Sequence, residues 1–173
     1  MKCSGSRATA ARLREPVRTV GRAWYPLFMK VLVQRCLSAR VEVEGRVIGE
    51  IGPGMTVFLG VATEDTGAQA VKLAGKLAGL RIFSDEAGKF NHALPEVGGA
   101  VLLISNFTLC GDARKGNRPS FTGAARPEAA NALYETFAKL LEDQGIPVRT
   151  GQFGADMRVF VENDGPVNLL LEA

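Results

Sequence analysis

The apolar run VLLISNFTL, residues 101–109, turns polar at its end, where Ser105, Asn106 and Thr108 surround Phe107. Polar groups gathered at the end of a strand have two uses: they bond nearby backbone as a turn, or they line a site. Extended geometry would put Ser105 and Phe107 on one face and Asn106 with Thr108 on the other. The next segment, GDARKGNRPSFTGAAR, carries Arg114, Lys115, Arg118 and Arg126. Cations and open backbone donors on such a loop hold phosphate, or else form an ordinary solvated basic loop. A third feature lies in ENDGPVNLLLEA, where Gly165-Pro166 interrupts an apolar C-terminus. Proline has no N–H for a sheet ladder, so the pair reads as a turn between two strands or as something placed there for another purpose.

Other chemistries find little support. His92, the single histidine, lies in NHALP with no nucleophile motif beside it. The chain has no H-E-x-x-H and no H-x-E paired with C-x-x-C, so no metal and no cofactor is expected. IGPG and EVGG lack the lysine and spacing of a phosphate-binding P-loop. Cys3, Cys36 and Cys110 are odd in number and without C-x-x-C spacing, which suits a reducing cytoplasm rather than a disulfide framework. No apolar run approaches the roughly 18 residues of a membrane span, so no membrane partner is expected.

The formal charge of +3 hides an asymmetry. Residues 1–28 hold six Lys/Arg against Glu15, while the rest holds 15 basic and 17 acidic residues and is mildly acidic. Any RNA contact must therefore be local. The Arg- and Ala-rich residues 1–28 are read as a disordered extension, a targeting segment or a mis-assigned start, with Met29 as a natural beginning and 29–173 as one domain.

These residues need a scaffold, and the hydrophobic pattern supplies one. KVLVQRC, ARVEVEG and RVIGEI read as strands, with Gly45 at the hairpin between the last two; IGPG is a turn, and MTVFLGVA is an interior strand. Thr66 to Gln69 has capping-box form, and Ala70, Leu73, Ala74, Leu77 and Leu80 follow at helical spacing. RIF, residues 81–83, reads as a short strand, and residues 101–109 as a second buried strand. Pro127 opens a second helix with an apolar stripe from Ala130 to Leu141, and Gly145 with Pro147 stops it. MRVFVEN and VNLLLEA close the chain as two strands flanking Gly165-Pro166. The fold class expected is α/β, mixed and hairpin-rich, with a barrel-like β-sheet and two covering helices in a single domain.

VQRC, GEIGPG, LRIF, SNFTLCGDARKGNRPSF, TGQFGADM and NDGPV, in that order, closely resemble the D-aminoacyl-tRNA deacylase family. The resemblance runs over residues 29–173. It implies a cytoplasmic homodimer that binds the 3′ end of aminoacyl-tRNA and hydrolyses the ester of a D-amino acid, extending to glycine mischarged on tRNA-Ala. It also implies that Gly165-Pro166 is a cis peptide that reaches from one subunit into the pocket of the other and bars an L side chain, with Arg35 bracing it. By the same resemblance, main-chain N–H groups around Asn106, Phe107 and Thr108 form an oxyanion hole beside Ser105, and attacking water is helped by the substrate's ribose hydroxyl. Arg114, Lys115 and Arg118 would take tRNA phosphates. Two positions depart from the family: Asn106 stands where Gln is usual, and Asn168 where Thr is usual. The competing reading is a weak or silent tRNA-binding homodimer of the same fold. A third, a serine or threonine esterase of small molecules, finds no base for Ser105 or Thr108.

Overall fold

The computed structural model describes residues 28–114 and 116–173. The expectations about residues 1–27 and about Lys115 lie outside these. The element order is β1 (Lys30–Val43), β2 (Arg46–Ile51), β3 (Gly54–Gly60), α1 (Gly67–Ala78), β4 (Phe83–Ser84), β5 (Phe90–His92), β6 (Ala100–Ser105), α2 (Pro127–Glu142), β7 (Val148–Thr150) and β8 (Arg158–Glu172).

β1 organises the sheet. One edge pairs antiparallel with β8, while the other pairs with β3 over its first half and β2 over its second. β3 continues into β6 and β6 into β7, both in parallel. Because β2 also lies over β6 and β7, the sheet curls into a nearly closed barrel with the two helices on its outside.

What was read as two strands, KVLVQRC and ARVEVEG, is one strand. Its inward phase slips at an irregularity between Cys36 and Ser38. Before the slip Val31 and Val33 face the helices; after it Ala39 and Val41 face the barrel interior. β6 lies between the two cores. Val101 and Leu103 pack under the helices, with Leu102 and Ile104 inside the barrel. Its continuous apolar run is the pattern of a strand buried on both faces.

The helices follow the sequence closely. Thr66 accepts the Ala68 N–H at 3.3 Å and Gln69 Oε1 accepts the Thr66 N–H at 2.9 Å, closing the capping box of α1. Ala70, Leu73, Ala74 and Leu77 of α1 and Tyr134, Phe137 and Leu141 of α2 are buried in the helix-side core. Residues 81–83 are not a strand; Phe83–Ser84 pairs with Phe90–His92 in a small separate hairpin. β7, only three residues long, is too short to show periodicity.

Candidate active site

Two segments predicted as strands behave otherwise, and both lie at the residues of chemical interest. β6 ends at Ser105, which pairs with Leu59. Asn106 leaves the ladder, donating its N–H to Leu59 O at 2.8 Å, and a 3-10 turn spans Phe107–Cys110. The two-face alternation expected for residues 105–108 therefore stops at Ser105. Asn106 Oδ1 accepts the Thr108 N–H at 3.1 Å and the Thr108 hydroxyl at 2.5 Å, so the asparagine caps the turn. Gly60 permits this packing: a Cβ there would lie 2.8 Å from Leu109 Cβ and 3.1 Å from Asn106 O.

The turn presents Phe107 outward, 59% exposed, with its ring edge-on to Phe121 at 5.1 Å. As the first residue of a 3-10 turn, Phe107 has an N–H with no partner inside the turn. The Thr108 N–H is already held by Asn106. The arrangement offers a main-chain donor beside an aromatic surface. Burial pushes the thiols of Cys36 and Cys110 up, away from nucleophilic thiolate character. His92, on β5, faces Glu96 at 3.9 Å. No cluster of three or more His, Cys, Asp or Glu able to hold a metal occurs among the described residues.

The basic loop is partly engaged with itself. Asp112 and Ser120 exchange main-chain hydrogen bonds at 2.7 and 2.8 Å. Arg114 forms a fork on Asp112, Nε to Oδ1 at 2.8 Å and Nη2 to Oδ2 at 2.6 Å. Arg118 is exposed on the same loop. The D-x-R spacing was the signal for the Asp112 clamp, which sequence reasoning missed, as it missed Phe121.

At the C-terminus the structure has one strand where two were expected, because β8 continues through Gly165-Pro166. Cys36 pairs with Asn163 and Gln34 with Asn168, so residues 164–167 bulge opposite the single residue Arg35. The Gly165-Pro166 peptide is cis, and Gly165 has φ 121°. A side chain there would be strained and would meet Val167 N at 3.0 Å and Arg35 Nη2 at 3.2 Å.

Arg35 is buried beneath the bulge. Its Nη1 donates to Ile82 O at 2.5 Å, its Nε lies 2.8 Å from Asp164 Oδ2, and its guanidinium stands 5.2 Å from the centre of the Phe90 ring. The Nε N–H is not aimed at a hydrogen-bond acceptor, so the contact with Asp164 is Coulombic. The carbonyl that Arg35 holds is thus that of Ile82 and not one of the Gly-Pro pair; its link to the bulge runs through Asp164.

Within one chain the turn and the bulge are far apart. Ser105 pairs with Leu59, Leu59 with Val31, and Val31 with Leu171, whereas the bulge lies opposite Arg35. Three strand spacings and four residues separate them, on the order of 20 Å along the sheet. Two surface cavities, of about 540 and 340 Å³, are lined by residues such as Glu42, Asp156 and Arg158, or Arg40 and Phe160, and include none of residues 105–108.

The family model for D-Tyr-tRNA(Tyr) deacylase matches residues 32–172, which span both the turn and the bulge. The chain belongs to this deacylase family. It is 57% identical over 145 residues to the D-aminoacyl-tRNA deacylase of Anaeromyxobacter dehalogenans, covering 84% of this chain and 97% of that one. It is 53% identical over 145 residues to the enzyme of the same name from Bacillus pumilus, covering 84% and 99%. Among solved structures, the c-Myc DNA unwinding element binding protein is similar at 38% identity and TM-score 0.79, covering 83% of this chain and 98% of that one. A probable eukaryotic D-amino acid tRNA deacylase shares the fold at 17% identity and TM-score 0.75, over 84% and 100% of the two chains. The deacylase is accordingly an ester hydrolase acting on D-aminoacyl-tRNA. No helix among its described residues is long and apolar enough to cross a membrane.

Proposed function

We propose that the deacylase works as a homodimer in which the Gly165-Pro166 bulge of one subunit stands over the Phe107 turn of the other and excludes L-aminoacyl esters. The observation that carries this reading is the separation of the two elements. An exposed, braced bulge on β8 lies three strands away in the sheet from an open main-chain donor at the end of β6, on the order of 20 Å along the curled sheet, so the ladder of one chain does not set them side by side. A second copy removes the distance. The exposed Leu169 and Leu170 flank the bulge on β8, whose outer edge carries no strand among the described residues. An apolar edge of this kind is a surface for association.

In this scheme the substrate carbonyl lies against the Phe107 N–H, which stabilises the oxyanion as water adds to the ester carbon. The ester C–O bond then breaks, the ribose oxygen regains a proton, and free D-amino acid and tRNA leave. Ser105 and Thr108 border the site. The Thr108 N–H stays bonded to Asn106, which holds the turn that aims the Phe107 N–H. Arg114 and Arg118, with Lys115, contact phosphates of the acceptor end in the cytoplasm where tRNA is charged. Because the filter rejects a misplaced side chain instead of recognising a correct one, glycine passes it, and glycyl-tRNA mischarged on tRNA-Ala is a substrate.

Mixed dimers test the reading. A chain with Phe107→Pro, which removes the donor, is combined with a chain carrying Gly165→Ala, which disturbs the filter. If each site draws on both subunits, the mixed dimer contains one intact site, and hydrolysis of D-Tyr-tRNA over L-Tyr-tRNA reappears. If neither mixing nor sedimentation reveals a dimer, or selective activity is not recovered, the reading fails.

A further inference from the structure

The mouth of the bulge is closed by three amide side chains, and we propose that Asn168 is a positioning residue that sets the enzyme's chiral selectivity. The inference rests on the filter reading above. Residues 164–167 fall outside the β1–β8 register, so ladder pairing does not fix them. Asn163 Nδ2 donates to Asn168 Oδ1 at 3.0 Å across the mouth, and Gln34 Nε2 of β1 donates to the same oxygen at 2.9 Å. One carbonyl oxygen has two lone pairs, and here both are directed at the two sides of the opening.

Arg35 and Asp164 hold the limb that enters the bulge; the amide trio ties the returning limb to it and to β1. A steric filter rejects a substrate only as strongly as it resists displacement, since a yielding filter relaxes around the wrong side chain. Without the Asn168 oxygen, Asn163 loses its donated bond as well. Its Oδ1 is already buried without a partner, so the Nδ2 bond is what fixes this amide; with the bond gone water can take the exposed Nδ2 donor, the side chain is no longer held, and the neck is free to shift. Selectivity is therefore expected to change more than turnover of the D-substrate.

Three full-length proteins decide the matter: wild type, Asn168→Leu, which has similar shape and no acceptor, and Asn168→Asp, which keeps an oxygen for both donors. kcat/KM is measured on D-Tyr-tRNA and L-Tyr-tRNA. The D-to-L ratio is expected to fall about tenfold in Asn168→Leu, mainly through faster L hydrolysis. Asn168→Asp is expected to keep it within about twofold. Gln34→Met, which removes one of the two donors, gives an intermediate ratio and serves if Asn168→Leu does not fold. Equal ratios in wild type, Asn168→Leu and Gln34→Met overturn the inference, and so does an equal fall in the Leu and Asp variants. A wild-type enzyme without D-to-L preference overturns the filter reading itself, and that result is seen before any variant is made.

Discussion

Replacing Arg35 by methionine keeps the stem of the side chain and removes the guanidinium, and the structure allows its cost to be worked out contact by contact. The bond to Ile82 O, 2.5 Å long and buried, is charge-assisted and contributes about 1.5–3 kcal/mol. The contact with Phe90 adds about 0.5–1 kcal/mol, since that ring is half exposed. Asp164 is different. Its side chain is 39% exposed, so water screens the attraction, and the pair contributes about 1 kcal/mol or less despite the 2.8 Å separation. Arg35→Met is therefore expected to lower the unfolding free energy by about 2–5 kcal/mol in urea denaturation. A double-mutant cycle with Asp164→Ala is expected to return a coupling of about 1 kcal/mol or less. Arg35→Lys recovers one contact only, because an ammonium cannot face Ile82 O and Asp164 with the fixed fork of a guanidinium. A neutral Arg35→Met would refute the brace, and a coupling above about 2 kcal/mol would refute the division between carbonyl bond and screened ion pair.

Three further outcomes follow from contacts described above. Asn106→Ala removes the cap of the 3-10 turn; it is expected to cost about 1 kcal/mol of stability and to lower kcat more than it raises KM, and unchanged kcat would show that the turn's donors keep their aim without it. Tyr134 donates to Leu103 O at 2.8 Å, and burial first of all pushes its phenol from 10.0 up to about 12. The folded state thus favours the neutral phenol, so its contribution is whole below pH 10 and is lost as pH rises through 12. The stability difference between wild type and Tyr134→Phe should accordingly shift against wild type by about 2–3 kcal/mol across that window, and a constant difference would contradict the assignment. His92→Ala is expected to leave kcat/KM unchanged, because the proposed mechanism uses no histidine; a large loss of kcat/KM on mutation would overturn this.

What the sequence made legible was whatever repeats at a fixed interval. The stripe from Ala70 to Leu77 and the box from Thr66 to Gln69 predicted α1, and the doubly apolar run of β6 predicted an interior strand. Irregularity was misread twice for the same physical reason: a bulge changes which residues face inward without ending the strand, so its two halves look like two strands. This happened at Cys36–Ser38 in β1 and again at residues 164–167 in β8. The end of β6 was misread in the opposite sense. SNFTL carries no proline or glycine to signal a stop, and only the cap formed by Asn106 turns the chain out of the sheet.

Those same irregular places hold the residues of the proposed site, and the coincidence has a cause. A strand paired on both edges uses its main-chain N–H and C=O groups in the ladder and has none left for a ligand. Away from a sheet edge, backbone is freed only where pairing lapses, as at the Phe107 turn and at the Gly165-Pro166 bulge. Each lapse then needs side chains to hold it: Asn106 for the turn, and Arg35 with Asn163, Asn168 and Gln34 for the bulge. On the mechanism proposed above, an enzyme that works through backbone is to be recognised less by nucleophiles than by well-supported breaks in its sheet. Two such breaks lie on separate strands, β6 and β8, and the proposed dimer is the arrangement that would bring them together.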